Sequence, residues 1–253
     1  MQVALALFPG VSADECEAFT MVFERLARDG IADVDLVGVG ARLGPVAGQG
    51  GGHHVDACFP DVAAPDVVLV PGGLGVERTA RDADLLAWLR TVAPVCEWMA
   101  ASSTGTVVVA AAGLLGARDA ATHWLASPLL ETYGSHASPE RIVEVGRIIT
   151  CEGRITAMHV ALLVTLRVFG PDAVRRVRAS LAADPTGAGR PTATVTRRQR
   201  LATVLGRRRR AAPRRRNPEL EAPDTIELEP LHARPPGASL PDIPPAPSPR
   251  QPH

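Results

Sequence analysis

The sequence predicts an α/β domain: a three-layer sandwich in which helices cover both faces of a mostly parallel central sheet. Three observations carry this. Short runs dominated by apolar residues recur at 3–8, 34–39, 66–70 and 95–100. They are too short for helices, and the best of them lack the in–out alternation of a strand with one wet face, so they read as strands buried on both sides. Segments with helical spacing alternate with them. Finally, turn-forming clusters follow the strands: Pro9-Gly10, Pro71-Gly72-Gly73 and Ser102-Ser103-Thr104-Gly105.

Taken in order, residues 3–8 form the first strand. A helix over 14–28 follows, with Phe19, Val22, Phe23 and Leu26 on one face and Gly30 as its stop. Residues 34–39 are the second strand, and the Gly-rich stretch 47–57 is a hairpin excursion. Residues 66–70 are the third strand, 82–92 a helix, 95–100 the fourth strand, and 106–112 an apolar helix capped by Gly113. A long helix over 155–169, apolar on most sides, packs into the core, and 171–181 is a shorter Arg-bearing amphipathic helix. The resulting arrangement is flavodoxin-like. In such sheets the site lies beyond the carboxyl ends of the strands. The loop 9–15, the Pro71-Gly72-Gly73 turn and the turn at 102–105 converge there.

The domain is expected to span residues 1–185. After it the composition changes: residues 196–216 hold ten arginines and no acid, and 217–253 are Pro-rich and poor in large apolar residues. Such a stretch cannot bury enough surface to offset its ordering entropy, so 186–253 is expected to be a disordered Arg/Pro-rich tail. The arginine runs could hold phosphates, but no aromatic residue is interleaved for base stacking, which argues against a nucleic-acid partner. The formal net charge is zero, with all 27 basic residues arginine, so no global field favours nucleic acid or membrane. No apolar run is long enough to span a bilayer. Four cysteines without a CxxC pair suit a reducing, cytoplasmic setting.

Ser103 is the first candidate for chemistry. A sharp strand-to-helix turn exposes a side chain at the sheet edge and aims helix N–H groups at the same spot, where they can stabilise an oxyanion. Serine there also suits an ordinary helix N-cap. Glu15 is the second candidate, facing the same crevice from the first helical turn, although an acid there also complements the helix dipole; Asp14 and Glu17 compete for the role. Gly72 and Gly73 let the backbone approach a ligand and offer N–H donors, or simply make a tight turn. His123 could bind a polar ligand or pack beside Trp124. His53-His54 lacks an acid or thiol at ligand spacing, so no metal is expected, and no cofactor is implied.

Several blocks in register resemble the ThiJ/PfpI superfamily of class I glutamine-amidotransferase-like proteins, in particular its isonitrile-hydratase-like branch, which also supplies sensor domains to AraC-type regulators. These are Ser103-Thr104-Gly105, Ala111-Ala112-Gly113-Leu114-Leu115 and Ala121-Thr122-His123-Trp124, supported by Phe8-Pro9-Gly10-Val11 and Val70-Pro71-Gly72-Gly73. The resemblance covers about residues 2–182. It implies Glu15 as catalytic acid, Gly73 on the oxyanion side, Thr104 after the nucleophile, and a homodimer acting on a small molecule. It places serine, at Ser103, where the family carries a nucleophilic cysteine, and histidine, at His159, where the hydratase branch usually has Asp.

A serine hydroxyl needs a base, whereas a thiol beside an acid at a helix N-terminus ionises readily. Two functions therefore stay open. One is a lyase or hydrolase acting on a small electrophile such as an isonitrile. The other is a non-catalytic small-molecule-binding module, sensor or regulatory, derived from such an enzyme. A direct AraC-type regulator is disfavoured, because the residues after the domain show no pair of amphipathic helices.

Overall fold

The computed structural model describes residues 1–184; the expected tail lies outside the described residues. Its core is a seven-stranded sheet. In chain order the strands of this sheet and its excursions are β1 (Gln2–Ala6), β2 (Asp35–Gly40), β3 (Gly44–Ala47), β4 (Gly52–Val55), β5 (Ala57–Cys58), β6 (Val67–Val70), β7 (Trp98–Ser102), β8 (Asp119–Ala120), β9 (His136–Ala137), β10 (Ile142–Val145) and β11 (Ile148–Cys151). The main sheet runs β10-β11-β7-β6-β1-β2-β5. Every pairing in it is parallel except β10 with β11. β1 and β6 are buried along their whole length, which is why their sequence carries no alternation.

The helices are α1 (Ala13–Arg28), α2 (Val76–Thr79), α3 (Ala83–Val92), α4 (Gly105–Ala111), α5 (Ser127–Thr132), α6 (Arg154–Phe169) and α7 (Pro171–Ala183). α1, α6 and α7 pack together on one face, while α3 and α4 pack on the other, giving the three layers expected. α1 buries Phe19, Val22, Phe23 and Leu26 on the sheet side. Ser12 caps it by accepting from the Glu15 N–H. Its far end is tied to α7: the buried Arg25 guanidinium donates to Ser180 Oγ at 3.1 Å and to the Asp184 carboxylate at 3.3 Å.

The 47–57 excursion is a hairpin, β3 against β4. Its tip docks on the loop after β1, with Ala13 N–H donating to the Gln49 carbonyl at 2.9 Å and Gln49 N–H to the Val11 carbonyl at 2.7 Å. The fourth predicted strand sits later than expected, at Trp98–Ser102. The apolar residues before it close the end of α3 instead: the N–H groups of Val95 and Cys96 both donate to the Val92 carbonyl, and Val95 is exposed. The sequence predicts no strand over 119–151, yet four lie there. β10 and β11 form a hairpin across Gly146 (φ +64°) and Arg147. The near-continuous β-branched residues on either side of the Gly146-Arg147 pair are the signal for this hairpin. Among the described residues no helix is long and apolar enough to cross a membrane.

Candidate active site

The elbow after β7 is the one place among the described residues where a non-glycine residue adopts positive φ: Ser103, at +54°. The left-handed conformation costs an L-residue roughly 1–2 kcal/mol, so the surroundings must enforce it. They do so from both sides. The Ser103 N–H donates to the Cys151 carbonyl of β11 at 2.8 Å, and the Ser103 carbonyl accepts from the Thr122 hydroxyl at 2.7 Å. Thr122 belongs to a strap that is itself pinned: Thr106 Oγ1 donates to the Ala121 carbonyl at 2.8 Å, and Ala121 N–H donates to Thr150 Oγ1 at 2.9 Å. The turn therefore presents a buried serine held by its backbone N–H and carbonyl, with its Oγ outside those hydrogen bonds.

Glu15 approaches from the first turn of α1 and is buried. Its Oε2 accepts the Gly72 N–H at 2.8 Å and the Ser102 hydroxyl at 2.5 Å. Its two competitors are both exposed; Asp14 lies 3.9 Å from Arg154, at the start of α6. Gly72 is the hub of the site. A Cβ on it would meet Thr104 Oγ1 at 2.8 Å, and Ser103 Cβ and the Thr104 nitrogen at 2.9 Å. The missing side chain thus leaves a small hollow walled by Ser103, by the N–H of Thr104 and by the peptide that holds Glu15.

Gly73 and Thr104 satisfy each other. The Gly73 N–H donates to Thr104 Oγ1 at 2.8 Å, and that hydroxyl donates back to the Gly73 carbonyl at 3.0 Å. Thr104 therefore staples the β6 turn to the β7 elbow, and the Gly73 N–H is engaged in that staple. The Thr104 N–H, by contrast, has no partner among the described residues and opens α4 beside Ser103. His123 is used locally: its Nδ1 accepts from Leu125 N–H at 3.3 Å, and its ring stacks on Trp124 at 5.9 Å. His159 is half-buried in α6, and burial, with Arg141 and Arg178 adding to it, pushes its imidazole toward the neutral form. Among the described residues no group of three or more metal-binding side chains gathers. His54 lies 3.7 Å from Asp56 instead.

The buried cysteines close to Glu15 supply no nucleophile in place of Ser103. Burial, with the Glu15 charge adding to it, pushes Cys16 up to about 12. Burial likewise pushes Cys151 up to about 12. Neither is a thiolate near neutral pH. Ser102 and Thr122 are the contacts that sequence reasoning did not single out. Thr122 stood inside a recognised block, whereas a serine closing a buried strand gave no signal at all.

The chain is similar to known proteins in sequence and in fold. The DJ-1/PfpI family profile matches residues 1–165. Isonitrile hydratase of Pseudomonas putida is 31% identical over 217 residues, covering 84% of this chain and 91% of that protein. The HTH-type transcriptional regulator GlxA of Rhizobium meliloti (strain 1021) is 38% identical over 77 residues, which span 30% of this chain and 24% of the regulator. Among solved structures, a THiJ/PfpI family protein from Pseudomonas syringae superposes with a TM-score of 0.67 at 21% identity, covering 81% of this chain and 84% of its own. Schizosaccharomyces pombe DJ-1 superposes at 0.61 and 20% identity, covering 72% and 98%. With the profile spanning well over half of its length and a relative matched almost end to end, the chain belongs to the DJ-1/PfpI family.

Proposed function

We propose that the protein is an isonitrile-hydratase-like lyase in which Ser103 takes the place of the family cysteine. The observation that carries this reading is the strained Ser103 elbow facing the Gly72 hollow, with the Glu15 carboxylate bonded to the Gly72 N–H that walls the same hollow. In this reading Ser103 Oγ attacks the terminal carbon of an isonitrile, or orders the water that does so. Its proton passes by way of Glu15 to that carbon, giving an O-linked formimidate. Water then adds to the same carbon, the C–Oγ bond breaks with the proton returning to Oγ, and the N-substituted formamide leaves with its nitrogen protonated. The Thr104 N–H stabilises developing negative charge, and Gly73 acts by holding Thr104. Gly72 admits the substrate, and His123 shapes the strap over the site. The free thiols of the described domain support a cytoplasmic setting, and the exposed Leu74, Trp124 and Ile155 support a homodimer.

One observation favours the second reading, a binding module without turnover. Glu15 Oε2 is engaged by Ser102 and Gly72, and no base is hydrogen-bonded to Ser103 Oγ among the described residues. The two readings separate in one experiment on the full chain, with formamide production from a simple isonitrile as the readout. The lyase reading expects turnover by the natural protein and a loss of roughly a thousandfold or more in Ser103→Ala, the scale of losing a nucleophile. Turnover by Ser103→Cys alone would instead establish the binding module on a scaffold that still supports the reaction. Silence from all three would remove isonitriles as the substrate class.

A further inference from the structure

We propose that Ser102, the last residue of β7, is a positioning residue that fixes the Glu15 carboxylate against Ser103. The inference rests on reading Ser103 and Glu15 as the reacting pair. Ser102 is fully buried, and its hydroxyl donates to Glu15 Oε2 at 2.5 Å. The Gly72 N–H donates to the same oxygen at 2.8 Å. Two donors, one at the end of β7 and one in the turn after β6, converge on one carboxylate oxygen, so the head group is held at a fixed place and tilt.

Both of these hydrogen bonds fall on Oε2, and neither uses the second oxygen, Oε1. It is the carboxylate atom left to exchange a proton at the elbow. A glutamate tethered at one point only could rotate about its last torsions, which are soft. The second tether removes that freedom. β7 also carries Ser103 one residue further on, so the residue that clamps the acid and the residue that would use it are joined by a single peptide bond. A shift of the β7 end moves both together and preserves their spacing.

The register of the sheet adds to the argument. Cys151 pairs with Ser102 across β11 and β7, so both side chains face the α1–α6 layer, where Glu15 lies. Burial holds the Cys151 and Cys16 thiols in the protonated form, with the Glu15 charge contributing. Of the groups gathered around the carboxylate, Ser102 and the Gly72 peptide are the ones bonded to it.

The test uses the full chain carrying Ser103→Cys, because alkylation of that thiol by iodoacetamide reports on its proton acceptor without any isonitrile. The rate is read at fixed pH by mass spectrometry on the peptide carrying position 103. Adding Ser102→Ala is expected to slow alkylation at least threefold. Adding the same change to a Ser103→Cys, Glu15→Ala background is expected to leave the rate as it was. An unchanged or faster rate in the first comparison would overturn the proposal, as would equal slowing in both backgrounds. Should Ser102→Ala fail to fold, Ser102→Thr and Ser102→Val, matched in shape and differing in the hydroxyl, make the same comparison. The threonine form is then expected to react at least threefold faster, and equal rates would overturn the proposal. Failure of isonitrile turnover leaves this measurement intact, so the two readings fall separately.

Discussion

In the proposed lyase, replacing Gly72 by alanine is expected to lower isonitrile hydration about a hundredfold, the scale of a misplacement of about 1 Å at reacting groups. The new methyl would fall 2.9 Å from Ser103 Cβ and 2.9 Å from the Thr104 nitrogen. Both neighbours sit on a turn held by hydrogen bonds on either side, so relief has to come from moving the elbow. The methyl would also fill the hollow that a linear substrate would occupy. Stability should suffer less, by about 1–3 kcal/mol, the usual cost of overpacking. Kinetics and a thermal melt on the same sample check both halves. A variant that keeps near-natural turnover would mean that substrate does not pass over Gly72.

Gly105→Ala should instead strike the fold. A Cβ at this first residue of α4 would lie 2.3 Å from the Val70 carbonyl oxygen and 2.6 Å from that of Pro71. Both are backbone atoms at the end of the buried β6, and neither can rotate aside. The helix must lift off the sheet, and with it the buried Val107, Val108 and Val109. A cost of about 3 kcal/mol or more follows, at the top of the overpacking range. For a domain of this size that is a fall in melting temperature of roughly 6–12 °C. A melt within about 2 °C of the natural protein would show that α4 has more slack than its contacts imply.

How much of this was readable from the residues depends on which physical effect wrote each feature. β1 and β6 were plain, because strands buried on both faces must be continuously apolar. The three turns around the site were plain too, since Pro9-Gly10, Pro71-Gly72-Gly73 and Ser103-Thr104-Gly105 each mark a backbone path that few residues allow. The start of β7 was misplaced because Val95 is apolar for no burial of its own. The two-residue strands β8 and β9 pair far along the chain and leave no local period to detect.

At the site, the sequence could nominate Asp14, Glu15 and Glu17 but not choose among them. Exposure sets the first and third apart, while Glu15 turns inward to Gly72 and Ser102. The Ser102 contact was illegible because it depends on where α1 crosses the sheet, which no local pattern encodes. The engagement of the Gly73 N–H by Thr104 was hidden for the same reason.

The positive φ of Ser103 has a consequence for how substitutions at that position would be selected. Glycine is the residue that takes this conformation without penalty. Ser103→Gly should therefore raise stability by about 1 kcal/mol while deleting the hydroxyl. If only folding were under selection, position 103 would drift toward glycine. A side chain kept there against that drift marks a trade of robustness for chemistry or recognition, and a Ser103→Gly protein that melts later yet no longer turns over or binds would put a magnitude on that trade.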